Sequence, residues 1–281
     1  YLDLKGFGVV KMDREIVVIM CVYINDKLSD LQESLASLYR QSFNEFDIFI
    51  QCDGIISNDM KIYLDAEVEN GHIKLLRDRD VNFGLAASLN ELLELAISMK
   101  YKYFVRMDAD DICNSDRIKK QFQFMEDNPS IDVVGSDIVE FYDDGSEKLV
   151  TYPNTHEEIK SHFAKKTALA HVTAFFRGSF FEKSGLYNIN SNRNEDQWLW
   201  LSGFLNECNF ASFPEPLVNV RLSAGLLSRR GEFKHNWDTF LLRNSIIFKL
   251  KFSIFYYFYN FIIFLIKSLP SQILKLIYKV R

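Results

Sequence analysis

Continuous apolar runs alternate with single-faced apolar stripes through the first part of the chain. Ile16-Val17-Val18-Ile19-Met20-Cys21-Val22-Tyr23 is apolar without interruption, as expected of a strand buried on both faces of a parallel sheet. Leu28, Leu31, Leu35 and Leu38 then mark one face of a helix, with Ser29 and Gln32 at capping-box spacing. A second strand follows at Phe46–Cys52 and breaks at Asp53-Gly54, before a helix over 59–69 and a third strand over His72–Arg77. Asn82-Phe83-Gly84 makes a turn into a helix whose core face carries Leu85, Leu89, Leu92 and Ala96. A fourth strand over 102–107 completes β-α-β-α-β-α-β, which predicts an α/β fold with a right-handed, mostly parallel, Rossmann-like sheet.

The pattern is looser further on. Ser115 is placed to cap a helix with Ile118, Phe122 and Met125 on its buried face, ended by Asn128-Pro129. Ile131–Gly135 reads as a short strand, Asp143-Asp144-Gly145 as a hairpin turn, 155–166 as a polar helix and His171–Arg177 as another strand. Asn194-Glu195-Asp196-Gln197-Trp198-Leu199-Trp200-Leu201 opens a helix, where two carboxylates meet the dipole favourably.

In a parallel sheet, ligands bind beyond the carboxyl ends of the strands. Tyr23, Asp53 and Asp108 all fall at such ends, so three separated segments converge on one crevice. Neither G-x-G-x-x-G nor G-x-x-x-x-G-K-[ST] occurs, which disfavours a dinucleotide oxidoreductase and a P-loop enzyme. The sharpest chemical signal is Tyr103-Phe104-Val105-Arg106-Met107-Asp108-Ala109-Asp110-Asp111, where an apolar run stops at three carboxylates. Grouped ionised carboxylates are costly to bury unless positive charge neutralises them. On a still-extended backbone Asp108 and Asp110 point to the same side, and their oxygens suit Mg²⁺ or Mn²⁺. The alternative is an acidic turn that caps the next helix.

Charge adds an asymmetry. The chain of 281 residues carries net −5, yet no acidic residue follows Asp238 and the tail is +7, so residues 1–238 carry −12. An acidic body with a basic, aromatic tail argues against nucleic-acid binding and for an anionic membrane surface. Cys21, Cys52, Cys113 and Cys208 lack C-x-x-C spacing and read as reduced thiols of a cytosolic protein. No secretory signal leads the chain, and Met12, just ahead of the first strand, is a candidate natural start.

Taken together, the ordered segments resemble the inverting glycosyltransferases of family 2, which have the GT-A fold. The resemblance covers about residues 15–231. It runs through Val22-Tyr23, Cys52-Asp53-Gly54, Asn82-x-Gly84 with Asn90, Asp108-Ala109-Asp110-Asp111, His171, Gly185-x-Tyr187, Glu195-Asp196-x-x-Leu199-Trp200, and Val220-Arg221 with Ser228-Arg229-Arg230. The nearest flavour is the group building bacterial exopolysaccharide and O-antigen repeat units, like the amylovoran transferases. The resemblance implies a GT-A domain over 1–238, with a nucleotide-binding half at about 15–112 and an acceptor half at about 113–238.

It also implies roles. Asp53 would accept a hydrogen bond from uracil, Val22 and Tyr23 would lie by the base, and Asn82, Gly84, Asn90, Arg106 and Ala109 would line the nucleotide sugar. Asp108 would hold the ribose or help the metal, and Asp110 would ligate Mn²⁺ or Mg²⁺. Asp111 faces away or caps the following turn. Arg221, Arg229 and Arg230 suit the diphosphate, although Arg229 and Arg230 could equally be solvated or face lipid headgroups. Asp196 would be the general base, with structural capping as its alternative; Glu195 and Trp198 would shape the acceptor side, and His171 is either an acceptor contact or a satisfied buried histidine. Many relatives carry a His two residues after the late Arg, and some use it as a further metal ligand; here that residue is Ser223, so metal binding would be weak or exchangeable. Nucleotidyl transfer would want a Gly-rich loop after the first strand, and Tyr23-Ile24-Asn25-Asp26-Lys27 has no glycine; a catalytically silent partner would not need both acidic landmarks.

Residues 239–281 form a separate segment. Phe252 to Ile266 is an apolar, aromatic run between Lys251 and Lys267, short for a transmembrane helix, which needs about 20 residues. It reads as an interfacial, monotopic anchor on the cytoplasmic face of a bacterial inner membrane, where a UDP-sugar would meet a lipid-linked glycan acceptor. A C-terminal helix pair packed on the body is the soluble alternative. Oligomeric state is not legible.

Overall fold

The computed structural model describes residues 14–142, 144–191, 194–222 and 233–269. Its spine is a nine-stranded sheet with a hydrophobic core on each face. Strands β1 (Ile16–Val22), β2 (Phe46–Cys52), β3 (Leu75–Arg77) and β4 (Tyr103–Arg106) run parallel in the order β3-β2-β1-β4. The uninterrupted apolarity of β1 has a direct cause. Ile16, Val18, Met20 and Val22 face the core shared with α1 (Leu28–Tyr39) and α2 (Asn58–Glu69), whereas Val17 and Ile19 face the one shared with α3 (Leu85–Ser98). Each such side chain contributes about 1.5–3 kcal/mol when fully buried, so neither face tolerates a polar residue.

The later strands extend this sheet. β8 (Phe175–Arg177) lies antiparallel between β4 and β6 (Val133–Tyr142); β9 (Phe210–Leu222) runs parallel to β6 and carries β5 (Ile112–Cys113) at the far edge. β7 (Glu147–Val150) forms a hairpin with β6 through a turn containing Asp144 and Gly145. α4 (Arg117–Asp127) covers the first core, while α5 (His156–Phe163), α6 (Gly178–Ser184) and α7 (Glu195–Leu205) cover the second. There Trp200 is fully buried among the rings of Phe176, Phe180 and Phe210.

Several local expectations change. The third strand begins only at Leu75, because His72 and Ile73 donate back to the Glu67 carbonyl and close off α2. Ser29 donates to Asp30 instead of capping α1, whose first residue follows Lys27; α4 is preceded by Asp116, whose N–H goes to Asn114 rather than to Ser115. His171–Thr173 is a 3₁₀ turn closed by Thr173 and Ala174 N–H donors, so the strand at 171–177 shortens to β8. The strand expected at 131–135 runs on to Tyr142. β9 went unforeseen because Pro214 and Pro216 argue against a strand; register shifts around Asp137 accommodate them.

The C-terminal region is a helical hairpin seated on the body. α8 (Phe233–Lys249) buries Leu242, Ile246 and Ile247, and the boundary drawn at 238/239 falls inside this helix. α9 (Phe255–Lys267) packs on it through Phe264 against Trp237 and Phe240, and Asn260 donates to the Phe240 carbonyl and Asn244. The outer face leaves Phe255, Phe258, Phe261, Ile262 and Leu265 at least half exposed. Among the described residues no helix is long and apolar enough to cross a membrane. All four cysteines are free thiols.

Candidate active site

The ends of β1 and β2 lie level, Val22 opposite Cys52, and the Asp53 N–H donates to the Val22 carbonyl at 2.7 Å. Asp53 is only 5% exposed and its carboxylate organises the next loop. Oδ1 accepts from the Arg79 guanidinium and from Phe83 N at 2.9 Å; Oδ2 accepts from Gly84 N at 2.9 Å. Asn82 Nδ2 donates to the Asp53 carbonyl at 3.0 Å. Gly54 has φ +88° and a Cβ there would stand 3.0 Å from Asn82 N, so glycine is what lets the two segments meet. Asp53, Asn82 and Gly84 are therefore brought together, chiefly by one another, and a nucleobase contact has only the lightly used Oδ2 to work with. Arg79, which sequence reasoning missed, ties Asp53 to Glu91 and Ser88 and lies over the exposed ring of Phe83.

β4 ends at Arg106, so Asp108 and Asp110 do not lie on extended backbone; residues 109–110 form a turn. Arg106 is fully buried and donates to the Met107 carbonyl and the Asp108 carboxylate. It supports the acidic loop from beneath and cannot itself line a nucleotide. The side chains of Val22 and Ala109 are likewise buried in the first core, which removes them as side-chain contacts. Tyr23 is half-buried; its N–H donates to Asp26 Oδ2 at 2.9 Å. Burial, then repulsion from Asp110 and Asp108, pushes Asp26 up to about 7. Burial and Asp108 push Asp110 up to about 6, and burial drives Asp111 well above the usual carboxylate range. Asp111 is turned inward, where it accepts the Arg221 N–H at 2.9 Å. The Arg221 guanidinium donates to Glu33 and to the Asp110 carbonyl and lies 4.7 Å from the centre of the Phe141 ring. Arg221 thus joins the acidic loop, as its place in the series implied. Arg229, Arg230 and Ser223 lie outside the described residues.

This donor set is all oxygen and electrically under-compensated, which fits a hard divalent cation. Among the described residues no group of three or more His, Cys, Asp and Glu side chains is placed to hold a metal ion. Asp108 and Asp110 would hold such an ion together with ligand oxygens and water.

The second acidic landmark stands in the first turn of α7. Asp196 Oδ2 accepts from Thr167 Oγ1 at 3.3 Å. Burial, then the neighbouring Glu195, pushes Asp196 up to about 6, against the Gln197 N–H, Thr167 and Arg243. The buried phenol of Tyr187 lies within electrostatic reach of Arg106, Glu195 and Asp196. His171 Nε2 is 2.7 Å from Tyr187 Oη, and burial beside Arg106 pulls its basicity well down, leaving a neutral, satisfied histidine. Asn90 exchanges both amide hydrogen bonds with the Tyr187 backbone, each 2.9 Å, so its side chain is a bridge between the halves rather than a nucleotide contact. Trp198 packs at the edge of the second core with Lys249 Nζ 5.9 Å from its ring centre. Thr167, Tyr187 and Arg243 complete the surroundings of Asp196; only Tyr187 had a sequence signal, the turn Gly185-x-Tyr187.

Residues 17–185 match the family described as Glycosyl transferase family 2. An uncharacterized glycosyltransferase of Haemophilus influenzae is 30% identical over 80% of this chain and 84% of its own length. The UDP-Gal:alpha-D-GlcNAc-diphosphoundecaprenol beta-1,3-galactosyltransferase of Escherichia coli is 26% identical over 78% of each chain. Among solved structures, S. aureus TarS 1–349 in complex with UDP-GlcNAc superposes with a TM-score of 0.62 at 17% identity, over 83% of this chain and 66% of that one. That likeness makes the architecture the GT-A fold. The extent of the family match, reinforced by the Haemophilus relative, settles membership: the chain belongs to glycosyltransferase family 2.

Proposed function

We propose that this protein transfers a hexose or N-acetylhexosamine from a UDP-sugar to a hydroxyl of a lipid-linked glycan in bacterial surface polysaccharide synthesis. The transfer is a single displacement that inverts the anomeric carbon. The observation that carries the reading is Asp196, a carboxylate in the first turn of α7 that burial and Glu195 raise to about 6. A group titrating there is ionised at neutral pH yet basic enough to take a proton from an attacking hydroxyl. Thr167 and the Gln197 N–H hold the carboxylate, and Glu195 keeps its basicity high. On the donor side, the Asp53–Asn82–Gly84 loop receives the nucleoside, and Arg221, held at the acidic loop by Glu33 and the Asp110 carbonyl, would turn to the diphosphate. Asp110, with Asp108 fixed by Arg106, would hold Mn²⁺ or Mg²⁺, which would supply positive charge against the negative charge developing on the departing UDP.

The E. coli relative acts on an undecaprenol-linked sugar, which supports a lipid-linked acceptor here. The aromatic outer face of α9, with Lys249, Lys251 and Lys267 nearby, supports attachment to an anionic bilayer at the cytoplasmic face. UDP release from a panel of UDP-sugars tests the reading. Turnover with one or a few donors, abolished in Asp110→Ala and Asp196→Ala, is the expected result; turnover that survives both substitutions overturns it.

A further inference from the structure

Arg243 belongs to the tail, yet it is 8% exposed and lies against the body. Its guanidinium donates to the carbonyls of Phe163 and Lys166 and, at 3.1 Å, to Gln197 Oε1. These two partner segments are the ones that serve Asp196. Lys166 precedes Thr167, whose hydroxyl donates to Asp196, and Gln197 supplies the backbone N–H that does the same. One turn earlier, Thr239 Oγ1 reaches Asn194 Oδ1 at 3.4 Å, adding a second link from α8 to the start of α7.

We infer that Arg243 is a positioning residue for the reaction: it clamps the 163–167 segment to the first turn of α7, fixing the donors around Asp196, and so makes α8 part of the catalytic unit. The inference rests on the reading of Asp196 as the base. A buried guanidinium unneeded for function would be an expensive way to pin a helix, since hydrophobic residues of similar size do that without desolvating a charge. The electrostatics agree. Burial lowers Arg243 to about 10, with Asp196 acting to hold it up, while Arg243 in turn acts to hold Asp196 down against burial and Glu195. Among the described residues Glu195, Tyr187 and Arg243 are the ionisable groups that act on Asp196 or feel it.

The test uses the full chain with UDP-galactose and UDP-N-acetylglucosamine as probes, following UDP release against pH at saturating donor and Mn²⁺. Arg243→Met is expected to lower kcat about tenfold with donor KM within about twofold, and to move the acidic limb of kcat upward by about half a pH unit, since a positive charge near Asp196 is gone. Arg243→Lys, which keeps the charge but loses the fork, is expected to leave the limb near its wild-type place while kcat still falls. It also serves if the Met variant does not fold. Ile247→Ala is the control for α8 docking alone, since it deletes a buried side chain of the same helix, and it lowers the melting temperature without moving the limb. A limb that stays put in a folded Arg243→Met, or one that moves equally in Ile247→Ala, overturns the inference. Asp196→Asn separates the two layers: retained turnover there sinks the base assignment itself, whereas its loss alongside an unmoved limb in a folded Arg243→Met sinks only this inference.

Discussion

The acidic loop after β4 and the acidic turn that opens α7 look alike in sequence, each a pair or triple of carboxylates bordering an apolar stretch, which precedes the first and follows the second. The structure surrounds them differently. Around the acidic loop, Asp26 and Asp110 are raised by burial and then by neighbouring carboxylates, while Arg106 grips Asp108 from below and Arg221 points to Glu33 and the Asp110 carbonyl. Around Asp196 there is one carboxylate neighbour, with a hydroxyl, a backbone N–H and a buried arginine holding it down. In the first region carboxylates outnumber the cationic groups that face them, an arrangement that suits the proposed cation. In the second, Arg243 and two hydrogen-bond donors offset Glu195 and burial, as suits the proposed base. Similar local sequence, different surroundings, different chemistry.

The contrast breaks first at its proton side. Asp196→Asn is expected to lower UDP release by about 10²–10⁴-fold while UDP binding, read by calorimetry, stays within a fewfold. Asp110→Asn is expected to cost about 10²–10³-fold and, unlike Asp196→Asn, to remove the dependence of UDP binding on Mn²⁺. A variant that behaves like the other would erase the distinction. The pH profile sharpens it further. Because burial raises Asp196 to about 6, the base is lost by protonation as pH falls through 6, so kcat should drop about tenfold per unit below that point and level off above it. Mn²⁺ at about 100 times its Kd should add about 2.7 kcal/mol to the stability of the wild type and much less to Asp110→Asn, measured by thermal melts. The smallest effect concerns neither region directly. Asn90→Ala leaves two Tyr187 backbone groups without their partner and is expected to cost about 1–3 kcal/mol in urea unfolding, with donor KM little changed.

The parallel half of the fold was legible because its signals are local. The continuous run at Ile16–Tyr23 has to be buried on both faces, and the Leu28–Leu38 stripe has to cover one of them. β9 was not legible, since its prolines look prohibitive until the register shift opposite Asp137 is seen. The site divides in the same way. Asp108 and Asp110 announce themselves as charges that stop an apolar run, and Asp196 as an acid in the first turn of an apolar helix. Asn90 sits in the right series but is turned to Tyr187, and Arg106 is drawn beneath the sheet end, facts decided by partners about 97 and two residues away. Asp26, Thr167 and Arg243 carry no motif at all; only tertiary contact gives them meaning.

The sheet order has a consequence for taking the molecule apart. β4, the strand that delivers the acidic loop, has β1 from the first half on one side and β8 from the second half on the other. A fragment cut near residue 112 would leave the edge of β4 open, with Phe104 and Val105 no longer paired with Phe176 and Phe175. The amide clasp from Asn90 to Tyr187 would be severed as well. The segments before and after residue 112 are therefore expected to unfold in one cooperative transition, and dissection at their seam should yield two aggregating pieces, not two working modules.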